Sequence, residues 1–143
     1  MKRSPMPPRR APLDHRSATR RAKILARVRY TGPSAKVRRI VRERSGGVCE
    51  FPDCGRVAVD PHHRFERGMG GVGSKGPDWI NNASNILAAC RHHNDWVSNQ
   101  QPHEAWVMGW RLKPGELPQE TPVQLAGGTF LLDDDGGKTE VPA

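Results

Sequence analysis

Large apolar side chains are scarce in this 143-residue chain: 35% of it is hydrophobic and 6% aromatic, with three Phe, four Trp and one Tyr. So little apolar surface cannot offset the entropy of ordering every residue, which excludes a large core and predicts one small domain with tails. Long apolar runs are missing too. No stretch approaches the roughly 18 residues that a membrane span needs, and the basic N-terminus lacks the apolar run of a secretory signal. The expectation is a soluble, cytoplasmic protein with no membrane partner. Cysteine is nearly absent, and its odd count of three argues against a disulfide framework and for a metal site or free thiols.

Positive charge is what the chain has in excess, and it is unevenly spread. Residues 1–46 hold fifteen Lys/Arg against two acids, Asp14 and Glu43, whereas residues 47–143 hold eight against thirteen. A basic arm on a mildly acidic body points to a polyanion, nucleic acid first of all, because Lys and Arg that neutralise phosphates release condensed counterions. A solubility tail with no ligand is the plain alternative. Residues 1–16 are proline-rich and read as disordered. Ile24, Leu25 and Val28 then give helical spacing from Ala18 to Arg29, until Thr31-Gly32-Pro33 breaks it. A second helix is expected from about Ala35 to Arg44, capped by Ser34 and stopped by Gly46-Gly47, with Val37, Ile40 and Val41 as its apolar stripe. Its Arg38, Arg39, Arg42 and Arg44 form a solvated face that can lie along phosphates.

The three cysteines fall in a metal-ligand pattern. Cys49 and Cys54 bound a tight knuckle, and Cys90-Arg91-His92-His93 places a thiol and an imidazole three residues apart. Cys49, Cys54, Cys90 and His93 together make a Cys3His set, which suits a closed structural Zn2+. The bland reading makes Cys90 a small buried hydrophobe and the knuckle incidental. Need favours zinc: a folded part of roughly 80 residues with so few large apolar groups is of the size at which a staple supplies folding free energy.

Between the two halves of that set lies an adjacent histidine pair, His62-His63, after a segment Arg56–Asp60 that alternates enough for a short strand. Phe65 is expected in its return partner, and Pro61 restricts the pairing to an edge or bulge. An isolated strand histidine is usually structural. Two in tandem, enclosed by a metal scaffold and beside a basic arm, fit proton acceptance near neutral pH and divalent-ion binding, both of use in phosphodiester hydrolysis.

In their order, Cys49-x4-Cys54, His62-His63, Gly70-Gly71 and Asn85-Ile-Leu-Ala-Ala-Cys90-Arg-His-His93-Asn94 make the chain resemble the HNH endonucleases, the ββα-metal nuclease family, in their zinc-knuckle form. Residues 96–110 resemble the segment that follows the motif in members from actinobacteria and their phages. The resemblance covers about residues 36–125. It implies an α+β fold: a small ββα-metal nuclease domain at 34–125, stapled by zinc. A basic arm, partly helical, would precede it at 1–33, and an acidic tail with a possible hairpin would follow at 126–143.

Residue by residue, the resemblance makes His63 the general base, His62 a ligand of the catalytic ion, and Asn85 the middle Asn that braces the loop through backbone hydrogen bonds. Asn94 stands where most zinc-knuckle members carry the last His, the second ligand of that ion. Its carbonyl oxygen suits a hard ion such as Mg2+ or Mn2+. Asp60 is a rival to His62 as ligand on spacing alone. The implied reaction is single-metal hydrolysis of DNA to 5′-phosphate and 3′-hydroxyl ends, with Arg64 or Arg67 adding charge near the scissile phosphate. Phage relatives act beside the large terminase in genome packaging, so the resemblance also implies a phage gene, that partner and the host cytoplasm. A catalytically inactive, zinc-stabilised DNA-binding module is the alternative, and RNA as substrate stays open.

The rest carries less chemistry. Gly68-x-Gly70-x-x-Gly73 matches a dinucleotide-binding pattern, but Gly76-Pro77-Asp78 follows where a helix should start. Residues 68–84 read as a loop, with Trp79 and Ile80 tucked against the zinc core. A short helix from about Pro102 to Met108 should stop at Gly109, with Trp106 and Trp110 packing rather than stacking on bases. Residues 129–137 suggest a hairpin whose Asp133-Asp134-Asp135 is a solvated turn.

Overall fold

The fold is taken from a computed structural model that describes residues 32–67 and 76–142. The expected helix at 18–29, the arm before it and the glycine-rich stretch with Gly70-Gly71 lie outside the described residues. Helix α1 spans Ala35–Ser45: Ser34 Oγ accepts the Val37 N–H, and Gly46 ends the helix in the left-handed region at φ 62°. Its stripe works as expected, with Val41 buried and Val37 and Ile40 half-buried beside Ala83, Ile86 and Ala88.

The centre is an antiparallel pair, β1 (Asp60–His63) and β2 (Ile86–Ala89), in which His62 lies opposite Leu87 and His63 opposite Ile86. The strand expected from Arg56 is thus set later. Val57 makes only an isolated bridge to Val48, and the return partner is β2, not the Phe65 segment. Pro61 fits because its partner Ala88 directs its N–H and C=O the other way, to Glu50 Oε2 and the Glu50 N–H. After β2 come α2 (Arg91–Asp95), a π-turn at Trp96–Gln100 and α3 (His103–Val107), which ends at Gly109 as expected. Gly109 is obligatory: at φ 70°, an added Cβ would lie 2.0 Å from the Pro122 carbonyl oxygen.

A second sheet runs β3 (Val123–Leu125), β4 (Gly128–Leu132), β5 (Lys138–Glu140), all antiparallel. It crosses the boundary expected at 125/126, and Val123, Leu125 and Leu132 enter the same core as Cys49, Phe51, Leu87, Val97 and Trp110. Residues 126–142 therefore belong to the folded body and are not a tail. The result is a small α+β unit with a strand–strand–helix centre. Trp110 packs as expected and donates Nε1–H to the Gln124 carbonyl at 2.6 Å, while Trp106 carries the Arg111 guanidinium on its face at 4.6 Å. Trp79 sits edge-on to Phe65 at 5.3 Å rather than in the cysteine cluster. Among the described residues no helix is long and apolar enough to cross a membrane.

Two arginines expected outside are inside. Arg44 is a buried strut: its guanidinium forks onto Glu50 at 2.8 and 2.7 Å and donates to the Ala83 and Ile86 carbonyls. Arg64 is fully buried and donates to five carbonyls, those of Gly109, Ser84, Pro118, Thr121 and Pro122. It is a scaffold node, buried away from any phosphate, contrary to the expectation from the sequence. Burial, helped by the Arg44 charge, lowers its pKa to about 10, which still leaves it charged at neutral pH.

Candidate metal centre and histidine pair

The knuckle brings Cys49 and Cys54 to the N-terminus of α2, where Cys90 is the cap residue and His93 lies one turn on. The four donor atoms lie within 4.8 Å of one another. The Cys54–Cys90 sulfur separation is 3.7 Å, and His93 Nδ1 lies 3.4 Å from Cys49 Sγ and 3.5 Å from Cys90 Sγ. A tetrahedral Zn2+ with ordinary bond lengths has edges of about 3.8 Å between sulfurs and about 3.6 Å between sulfur and nitrogen. The cluster is therefore fit to hold a structural metal ion such as zinc. Phe51 stacks on the His93 ring at 4.7 Å and 11°, fixing its plane. Burial pushes the Cys49 thiol up to about 12, so a thiolate there calls for a bound cation. Burial alone would raise Cys90 as well, but hydrogen bonds from the His93 backbone and the neighbouring donors outweigh it and lower its pKa. Burial, with the His92 and Arg56 charges, lowers His93 and keeps its nitrogen available as a ligand.

His62 and His63 leave β1 in different directions. His62 is buried, and its Nε2–H donates to the Trp110 carbonyl at 2.9 Å, which leaves the lone pair on Nδ1. That Nδ1 faces Asn94 Oδ1 at 3.2 Å, across from α2. Burial lowers the His62 pKa, against the hydrogen bonds to the Trp110 carbonyl and the Asn94 side chain, which raise it. Asp60 does not share this place. Its Oδ1 pairs with Arg91 at 3.2 Å, and its buried Oδ2 has no hydrogen-bond partner.

His63 turns to the 3-10 turn at Asp78–Asn81 and donates Nε2–H to Asn81 Oδ1 at 3.0 Å. Burial lowers its pKa to about 4, and the Arg67 charge acts in the same direction, so its Nδ1 lone pair is available for a proton at neutral pH. Asn85, fully buried, accepts the Phe65 N–H at 2.8 Å and donates to the Ile80 carbonyl at 2.8 Å. It ties the chain after β1 to the turn that holds His63. The structure thus joins His62 to Asn94 and links His63 to Asn85 through that turn. Arg38, Arg39 and Arg42 are exposed on α1. Arg39 lies 3.8 Å from Glu43, and Arg38 and Arg42 line an open groove of about 320 Å³ against residues 57–61.

Asn81 and Asp134 escaped the sequence reading. Nothing local marks Asn81, whose part depends on a contact 18 residues away. Strand β2 did carry a signal, a continuous apolar run bounded by Asn85 and Cys90, as a buried strand does. Comparison of the chain with protein-family models, curated proteins and solved structures returned no match.

Proposed function

We propose that the protein is a divalent-metal-dependent DNA endonuclease with a structural zinc in its Cys3His cluster. The observation that carries the reading is the convergence of two ligand-type side chains, His62 from β1 and Asn94 from α2, whose Nδ1 and Oδ1 stand 3.2 Å apart. Adjacent ligands of an octahedral Mg2+ stand about 3.0 Å apart, so the two atoms are spaced as neighbouring ligands of one ion. His62 and Asn94 would hold that ion, which when bound supplies Lewis-acid stabilisation of the leaving 3′ oxygen. The Trp110 carbonyl serves as the outer partner that fixes the His62 tautomer, as metal-binding histidines usually require.

His63 is the base. Its Nε2–H is committed to Asn81, so the proton of the attacking water goes to Nδ1, and the depressed pKa keeps that atom unprotonated at neutral pH. Arg67, whose charge bears on His63, is the arginine left to meet the scissile phosphate now that Arg64 is buried. The basic face of α1 and the arm before it supply affinity through phosphate contacts. The choice of DNA over RNA, the phage origin and the large terminase as partner rest on the sequence resemblance.

A second reading draws on the burial of His62, which is 3% exposed with both ring nitrogens near hydrogen-bonding atoms. It makes the histidine a core residue and the protein an inactive, zinc-stabilised DNA-binding module. Incubating supercoiled plasmid with the zinc-loaded protein in Mg2+, Mn2+ or EDTA separates the two. The endonuclease nicks in Mg2+ or Mn2+ and not in EDTA; binding with no nicking in any of the three selects the module.

A further inference from the structure

The C-terminal hairpin reaches back to the histidine site. Asp134, in the turn between β4 and β5, places one carboxylate against four donors: Ser84 N–H at 3.2 Å, Ser84 Oγ at 2.6 Å, Asn82 Nδ2 at 2.7 Å and Gln119 Nε2 at 2.7 Å. Three of the four belong to the residues just after Asn81. On the other side of Asn81, the Ile80 carbonyl is held by Asn85. Asn81 is therefore fixed from both flanks, through Asn85 on the Ile80 carbonyl before it and Asp134 after it, and its side-chain Oδ1 receives the His63 Nε2–H.

We infer that Asp134 is a positioning residue for His63, acting through the Asn82–Ser84 turn to hold Asn81 where it selects the Nε2–H tautomer and leaves Nδ1 for the reacting proton. The role of His63 as base rests on the proposed function; the tautomer control does not. Charge-assisted hydrogen bonds to a carboxylate are strong enough to brace the junction at Asn82 between the 3-10 turns Asp78–Asn81 and Ala83–Asn85. Gln119, the fourth partner, is exposed and lies outside the turn, so its bond should not matter to the histidine.

The test uses the full, zinc-loaded chain and two readouts. The first is the His63 ring tautomer from its nitrogen chemical shifts. Wild type should give one neutral tautomer, Nε2–H; Asn81→Leu and Asp134→Ala should give a mixture; Gln119→Ala should match wild type. Ser84→Ala removes a single bond from the clamp, and it should shift the tautomer ratio part of the way even if Asp134→Ala does not fold. The second readout is nicking, where Asp134→Ala should lower kcat by about ten-fold or more while KM stays within about two-fold. A His63 tautomer unchanged in both Asp134→Ala and Ser84→Ala overturns the inference. Absence of nicking in wild type overturns the endonuclease reading only, because the tautomer measurement is made without substrate.

Discussion

The two ends of the central hairpin are held by opposite means. At the knuckle, two short segments, 49–54 and 90–93, bring four donors to within 4.8 Å of one another. At the other end, Arg64 gathers five carbonyls from residues 84 to 122, with no metal donor in the contact, while Arg44 runs between the two, from Glu50 in the knuckle to the Ala83 and Ile86 carbonyls. A metal corner needs residue types at close spacing, so it can be read from sequence. An arginine node needs only carbonyls, which every residue has, so it cannot. The comparison also divides the labour: the knuckle supplies closure that a small core lacks, and the arginines fix the loops that carry the histidine site.

The largest effect should come from the metal corner. Cys54→Ser or a strong chelator should release the ion and unfold the body, since structural zinc contributes on the order of 10 kcal/mol to such folds. Metal analysis and a thermal melt check it, and an unchanged cooperative melt would remove the metal from the account of stability. Next comes the node: Arg64→Met should cost about 3–5 kcal/mol, because five carbonyls, those of Gly109, Ser84 and Pro118 in buried contacts, lose their donor at once. Arg64→Lys should rescue little, since a single ammonium cannot reproduce the planar fork. Urea unfolding measures both, and a loss near zero would make the arginine end dispensable.

A smaller effect concerns acid. His63 is held at about 4 in the folded chain against 6.5 when unperturbed, so between these values the unfolded chain binds more protons. Its contribution is complete above about pH 6.5 and is lost as pH falls towards 4. Comparing wild type with His63→Gln cancels acid effects on the metal corner, and at pH 5 the difference between them should have moved by up to about 2 kcal/mol from its value at pH 7. A difference that does not change with pH would place His63 in water. The smallest effect belongs to the surface: Arg39→Ala should change stability by no more than about 0.5 kcal/mol, as the exposed pair with Glu43 is screened.

Much of the site was legible in advance, and the reason is local spacing. The donors of the Cys3His set come as two closely spaced pairs, Cys49 with Cys54 and Cys90 with His93, and that spacing marks them before the fold brings the pairs together. Helix α1 was readable from Ser34 and Gly46, because caps are local chemistry. What could not be read depends on contacts across the chain. Arg64 looked like a surface arginine beside a histidine, and only the arrival of residues 109–122 makes it buried. The aspartate triplet looked like a solvated turn, and only the second sheet carries Asp134 to Ser84.

The central claim is that His63 is the base of a metal-dependent nuclease, and its most direct test is the nicking of supercoiled plasmid in Mg2+ or Mn2+ by wild type and His63→Ala side by side. Wild type should nick, and His63→Ala should lose cleavage by about a hundred-fold or more while retaining DNA binding and zinc content. Nicking by His63→Ala at the wild-type rate would contradict the account.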